Sequence, residues 1–161
     1  MRILTIGGYG FTEQSFIAAL QRSHVDVFID VRQRRGMRGA KYAFLNSKRL
    51  QELLSHLGIQ YVYAQGLAPT SAVRDAQKAD DRAGGTAKRD RAHLSSAFIQ
   101  EYRAYISGSF DPEPLRDQLK DAKVVVLFCV EGPPAACHRS LAAEYLVHVF
   151  HIDEPLEHLR P

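Results

Sequence analysis

Residues 123–130, KVVVLFCV, constrain this chain more than any other stretch. A strand with one face in water alternates apolar and polar side chains, and this one does not. It reads as a strand buried on both faces, and such continuous runs belong to parallel sheets covered by helices. The run leads straight into Glu131, and Pro133 and Pro134 then break the chain. Cys137, His138 and Arg139 follow at the start of an amphipathic segment with Leu141, Tyr145, Leu146 and Val149 on its apolar side. A thiol, a carboxylate, an imidazole and a guanidinium are thus gathered at one strand-to-helix corner. In α/β proteins that corner is where ligands bind.

The rest of the chain has the matching rhythm. RILTI (2–6) is a short β-type run ending at Gly7-Gly8, and Thr12 can cap a helix presenting Phe16, Ile17 and Leu20. VDVFIDV (25–31) is a second strand. RQRRGMRGAKYAF (32–44) is basic and punctuated by glycine, so it reads as a loop. Asn46 or Ser47 caps the next helix, whose Leu50, Leu53, Leu54 and Leu57 recur at i, i+3, i+4, i+7 before Gly58 stops it. IQYVY (59–63) is a third strand. Residues 66–94 show neither period and mix six Lys/Arg with four Asp, so a long irregular insertion is expected there, with room for a short helix around 72–78. Ser95 or Ser96 opens a helix with Phe98, Ile99, Tyr102 and Ile106 on one side. A shorter one follows Asp111-Pro112, and VFHI (149–152) reads as an edge strand. Strands alternating with helices predict a single α/β domain spanning 1–161: a mostly parallel sheet between two helical layers.

The totals exclude several classes. Two cysteines eight positions apart are not a disulfide scaffold, and no apolar run approaches the ~18 residues of a membrane span. The apolar run at the N-terminus is too short for a signal peptide, so a cytoplasmic location with no membrane partner is expected. The net charge of +3 is mild, but 15 of the 21 basic residues are Arg, whose planar fork suits phosphate and carboxylate.

In a parallel sheet the C-terminal strand ends share one rim. The first strand delivers Gly7 and Gly8 there, the second Asp30 and Arg32, the fourth Cys129 and Glu131, and the following helix Cys137, His138 and Arg139. Each has two readings. Gly7-Gly8 is a turn, or lets the backbone approach a ligand; neither a G-x-G-x-x-G nor a Walker phosphate loop is present. Asp30 is a general base or a partner for Arg32. Arg32, Arg34, Arg35 and Arg38 are a solvated face or an anion-binding rim. Cys137, beside His138 and Arg139 near a helix N-terminus, is a nucleophile or a small core residue. The cysteine phosphatase spacing, an Arg six residues after the Cys, is absent, since positions 135 and 143 are Ala. Arg139 binds an oxyanion or pairs with Glu131 or Asp30. Cys129, Glu131, Cys137 and His138 are acceptable zinc ligands, but the usual paired spacing is missing, so no cofactor is predicted.

TIGGYG, FIDVR and the F-C-x-E-x-x-P-x-x-C-H-R-S run, with the spacing between them, resemble the domain-of-unknown-function 488 family from Thr5 to Ile152. The resemblance implies a compact Rossmann-like α/β domain. The family's strongest positions map here onto Gly7, Asp30, Arg32, Cys129, Glu131, Cys137, His138 and Arg139. This chain departs from it at Gly7-Gly8-Tyr9, where many members have Gly-His-Ser, and at Leu67-Ala68-Pro69-Thr70, where many have Leu-Gly-Gly. RQRRGMRG followed by YAF marks a subgroup with a more basic rim.

The leading functional expectation is an enzyme, a hydrolase or transferase, acting on a phosphate-bearing small molecule or nucleic acid. Cys137, Glu131 and Asp30 are its candidate catalytic groups. Gly7, Gly8, Arg32, Arg35, His138 and Arg139 are its candidate substrate-binding groups. A non-catalytic nucleic-acid-binding module stays open, with Arg34, Arg35, Arg38, Lys41 and the 74–91 loop contacting phosphates and Tyr42 and Phe44 stacking on bases, as does a thiol redox or metal site on Cys129 and Cys137.

Overall fold

The computed structural model describes residues 1–85 and 91–161. Five parallel strands, β1 (Arg2–Ile6), β2 (Val27–Asp30), β3 (Gln60–Tyr63), β4 (Val124–Phe128) and β5 (Glu157–Leu159), form one sheet in the order β3-β2-β4-β1-β5. β4 lies at the centre with all five residues buried, as its unbroken apolar run requires.

Side chains alternate across the sheet and build two cores. Leu4, Ile6, Phe28, Val126 and Phe128 face α1 (Glu13–Arg22) and α2 (Ser47–His56), which contribute Phe16, Leu20, Leu50 and Leu54. Phe16 sits among Phe11, Phe28, Phe44 and Phe128 in edge-on contacts with ring centroids 5.6–6.2 Å apart. Each such fully buried ring contributes about 1.5–3 kcal/mol. Ile3, Val27, Ile29, Val125 and Leu127 face the opposite layer of α3 (Ser71–Ala83), α4 (Ser96–Ser109), α5 (Glu113–Leu119) and α6 (His138–Val149). The fold is therefore a Rossmann-like three-layer α/β sandwich, and its sheet is wholly parallel.

The helix starts follow the sequence. Thr12 and Ser15 form a reciprocal capping box on α1, and the Ser95 hydroxyl accepts from the Phe98 amide on α4. Asn46 stands at the start of α2 but directs its side chain elsewhere, accepting from the Met37 amide at 2.7 Å and so tethering the basic loop.

Two expectations are corrected. The stretch 66–94 is not irregular throughout: after a short 3-10 turn ending at Leu67, α3 runs for thirteen residues from a Thr70 cap. Residues 86–90 of that stretch lie outside the described residues. VFHI is no strand. Val149 ends α6, Phe150 caps it, and His151 turns the chain through a left-handed conformation (φ 53°). The edge strand is β5, pairing Glu157, His158 and Leu159 with Leu4, Thr5 and Ile6.

Candidate functional site

The ends of β2 and β4, the start of α6 and one side of α3 enclose a cavity of about 410 Å3 at the C-terminal rim of the sheet. Arg32, Cys129, Glu131, Cys137 and His138 line it, as the sequence anticipates. Arg34, Arg74, Gln77, Lys78, Arg91, Leu94 and Phe98 complete most of its wall.

Cys137 occupies the position just before α6, reached through a 3-10 turn over Pro134–Ala136. Its extended backbone (φ −136°, ψ 135°) points the chain into the helix, and its sulfur makes no capping bond. The sulfur is instead turned toward Cys129 and His138; one donor atom from each of these three residues lies within 4.8 Å of the others. His138 Nδ1 is 3.9 Å from Cys137 Sγ, while Nε2 lies 3.0 Å from the Val31 carbonyl oxygen. A carbonyl can only accept, so Nε2 carries a proton and the ring is held with Nδ1 toward the sulfur. Tyr102 packs edge-on against the same ring at 5.7 Å.

The two thiols are driven apart electrostatically. Burial alone would raise the Cys137 pKa. The hydrogen bond from Cys129, the neighbouring His138 and the Arg139 charge outweigh it and hold the thiol well below its ordinary range. Cys129 is pushed well above, first by donating to Cys137 and then by burial. Of the pair, Cys137 is thus the thiol more readily ionised, at a helix N-terminus whose amides favour negative charge. Both cysteines are free and buried from bulk solvent, yet both line the cavity.

Asp30 and Arg32 form a buried bidentate pair: Arg32 Nε donates to Oδ1 at 2.9 Å and Nη2 to Oδ2 at 2.7 Å. Asp30 also accepts from the Arg32 amide and the Tyr61 hydroxyl, and Arg32 Nη1 donates to the Leu45 carbonyl. Asp30 therefore stands behind Arg32 and does not line the cavity. Arg35 stacks on Tyr63, 4.0 Å from the ring centroid, and donates to the Tyr61 hydroxyl at 3.3 Å, which raises its own pKa. It too lies outside the cavity wall.

Arg139 is 1% exposed and faces the backbone. It donates to the Glu131 carbonyl and, at 2.7 Å, to the Gly132 carbonyl, so it clamps the loop after β4 in place of an anion. Gly7 explains itself there: a Cβ on it would meet the Glu131 carbonyl oxygen at 2.4 Å. A Cβ on Gly8 would instead meet the Leu45 side chain, Cδ1 at 2.6 Å, and its amide donates to the Val130 carbonyl at 3.1 Å. Gly7 thus serves close approach of two backbone segments, and Gly8 leaves room for a buried side chain. Gly7 also borders a second cavity of about 630 Å3 with Ser140, His158 and Arg160, in which His158 Nδ1 shares a 2.8 Å hydrogen bond with buried Thr5.

Sequence reasoning assigned phosphate contacts to an irregular 74–91 loop and did not see that Arg74, Gln77 and Lys78 share one helix face there. Their i, i+3, i+4 spacing was the available signal, because it puts them on one side of a helix once Thr70 is read as its cap. Gln77 accepts from the Ser95 amide and donates to Asp81, and Asp81 in turn pairs with Arg91. This network ties α3 to the start of α4 and carries Arg91 to the cavity.

Cys129, Cys137 and His138 offer soft donors close enough for one ion. Among the described residues the group ends at three, and Cys137 and His138 are chain neighbours, which seldom close on a single metal. Among the described residues no helix is long and apolar enough to cross a membrane. No curated protein and no solved structure shows significant similarity to the chain. The sequence matches the family described as domain of unknown function DUF488 over residues 12–146, and the chain belongs to that family.

Proposed function

We propose that this protein is an enzyme whose Cys137 thiolate attacks a phosphate-bearing substrate, a nucleotide or a stretch of nucleic acid, held in the rim cavity. One observation carries the reading: the sulfur favoured as thiolate opens on a cavity lined by Arg32, Arg34, Arg74, Lys78 and Arg91 against the single lining carboxylate of Glu131, among the described residues. The cavity volume lies in the range of small-molecule sites, about 300–1,000 Å3. The sulfur lone pair forms the new bond to an electrophilic carbon or phosphorus, and the leaving oxygen departs with the electrons of the broken bond. Glu131 is the acid–base group of the wall, and release of the covalent intermediate to water or to another hydroxyl makes the reaction hydrolysis or transfer. Asp30 keeps a positioning part, since both its oxygens are occupied.

Ligand protection tests this. Iodoacetamide alkylation of Cys137 is followed by peptide mass mapping, alone and with inorganic phosphate, nucleoside mono- and diphosphates, or short oligonucleotides. A phosphate compound is expected to slow alkylation and to raise Tm, by about 2.7 kcal/mol of stability near 100 times its Kd. The double change Arg34→Ala, Arg74→Ala is expected to abolish both effects, and Cys137→Ser to keep the Tm rise but lose turnover. Unprotected, fully reactive Cys137 across the whole set would overturn the substrate class.

A non-catalytic nucleic-acid module draws support from exposed Arg34, Arg38 and Lys41, with Lys41 lying over the Tyr42 ring at 5.4 Å. Oligonucleotide binding that falls steeply with salt and ignores Cys137→Ser, without turnover, would favour it.

A further inference from the structure

We infer that Cys129 is the resolving thiol of Cys137: a hydroperoxide that oxidises Cys137 in the cavity drives closure of a reversible Cys129–Cys137 disulfide. The inference rests on the juxtaposition of the two sulfurs and holds whatever substrate the cavity takes.

The residues are brought together by different elements. Cys129 directly follows the last residue of the central strand, its amide bonded to the Ile6 carbonyl of β1. Cys137 opens α6, and residues 130–136 loop between them through Pro133 and Pro134. Their sulfurs lie within 4.8 Å, and a disulfide needs ~2.05 Å. The shortfall is under about 3 Å, within reach of side-chain rotation and a small shift of a surface loop. The chain has no other cysteine, so any intramolecular disulfide is this one. Both residues border the cavity, which gives a molecule as small as hydrogen peroxide a route to sulfurs otherwise buried from solvent.

The chemistry balances without further partners. The Cys137 thiolate attacks one peroxide oxygen, an S–O bond forms, the O–O bond breaks, and hydroxide leaves, becoming water with the proton that Cys137 released on ionising. Cys137 is now a sulfenic acid, oxidised by two electrons, and the peroxide is reduced. Cys129 then attacks the Cys137 sulfur. The S–S bond forms, the S–O bond breaks, and hydroxide leaves with the Cys129 proton as water. A dithiol or two monothiol equivalents restore both thiols by exchange. Without a resolving thiol, a sulfenic acid proceeds to sulfinic acid, which such reductants do not reverse. The opposite shifts of the two thiols fit this division of labour, with Cys137 attacking and Cys129 waiting.

The test uses the full chain and needs no enzyme assay. Protein is treated with a small excess of hydrogen peroxide, blocked with N-ethylmaleimide, denatured and examined by intact mass and by non-reducing peptide mapping. The wild type is expected to lose two hydrogens, to take up no maleimide, to yield a linked Cys129–Cys137 peptide and to recover both thiols with dithiothreitol. Cys129→Ser is expected to accumulate sulfinic acid at Cys137 that dithiothreitol does not reverse. Wild-type protein that ends as Cys137 sulfinic acid with Cys129 still alkylatable would overturn the inference, as would two intact thiols or a disulfide formed only between chains. The wild-type readout stands even if the variant fails to fold. It is also independent of phosphate protection, so this inference and the proposed activity can fail separately.

Discussion

Tyr102 shows how one buried side chain ties the site to the stability of the fold. Its ring packs against His138, and its hydroxyl donates to the Leu67 carbonyl at 2.7 Å. Burial first, then the neighbouring cysteines, raises its pKa well above 10.0. Cys129 is raised well above 9.0 as well. A group whose folded pKa exceeds its unfolded one stabilises fully below the unfolded value and loses that contribution as pH rises. Cys137 has the opposite sign: its lowered pKa favours the fold above the ordinary thiol range and is lost as pH falls. Alkaline destabilisation is therefore expected to begin as the unfolded chain's Cys129 thiol ionises, above pH ~8.5, and to steepen above pH ~10, where its Tyr102 phenol does. Tyr102→Phe should lower Tm at neutral pH, since losing the hydrogen bond costs about 1 kcal/mol, and should flatten the decline above pH ~10. A variant whose Tm falls with pH as steeply as the wild type would remove Tyr102 from the alkaline loss. At this scale much of the site is legible from chemistry alone. Cys137, His138, Glu131 and Arg32 reach the cavity because they follow strand ends in a parallel sheet. The roles of Gly7 and Arg139 were not legible, because what each meets is the backbone of Glu131 and Gly132, far along the chain from Gly7 and seven or eight positions before Arg139.

Among the elements, α3 is the one whose loss would cost the cavity most. It supplies Arg74, Gln77 and Lys78, yet only Val73 and Gln77 are buried along its thirteen residues. That thin apolar stripe explains why residues 66–94 read as irregular: the helical period of α3 rests on Val73 and the small side chains of Ala72, Ala76, Ala79 and Ala83, and the Gln77, Asp81 and Arg91 hydrogen bonds that also hold it leave no apolar signal. β5 was hidden for a related reason. Glu157, His158 and Leu159 become a strand by pairing with β1, whereas the more β-like VFHI is consumed by the end of α6. The central strand and α1, α2 and α4 were readable because their own residues bury them. Thr70 is the weak link of α3, its hydroxyl accepting from the Val73 amide at 3.3 Å. Thr70→Ala should cost about 1 kcal/mol. With so little packing to hold α3, the loss should concentrate there and raise amide exchange across 71–83 more than in α1 or α2. Uniform exchange across all helices in the variant would show α3 to be anchored by its polar network alone.

For the molecule as a whole, stability and binding draw on different forces. Two apolar cores on either face of the sheet carry the fold, and the Arg32–Asp30 pair is sealed from solvent. The other described ion pairs are largely surface contacts, such as Arg2–Glu157, Arg49–Glu13 and Arg103–Glu144, each worth about 0–1 kcal/mol. The net charge of +3 is small, but among the described residues five cations against one carboxylate line the rim cavity; Arg32, Lys78 and Arg91 pair with Asp30, Asp75 and Asp81 behind the wall, so Arg34 and Arg74 supply most of the positive field there. Added salt screens such a field over ~10 Å at 0.1 M and leaves apolar burial nearly untouched. Raising NaCl from about 0.05 to about 0.5 M should therefore shift Tm by no more than a few degrees while weakening the Kd of a bound phosphate compound at least several-fold. Arg34→Ala and Arg74→Ala should each shallow the salt dependence of binding without altering that of Tm, measured by titration calorimetry and thermal melts in the same buffers. Binding that is salt-independent while Tm drops sharply would mean the reverse division, with surface charge holding the fold and the cavity working through shape.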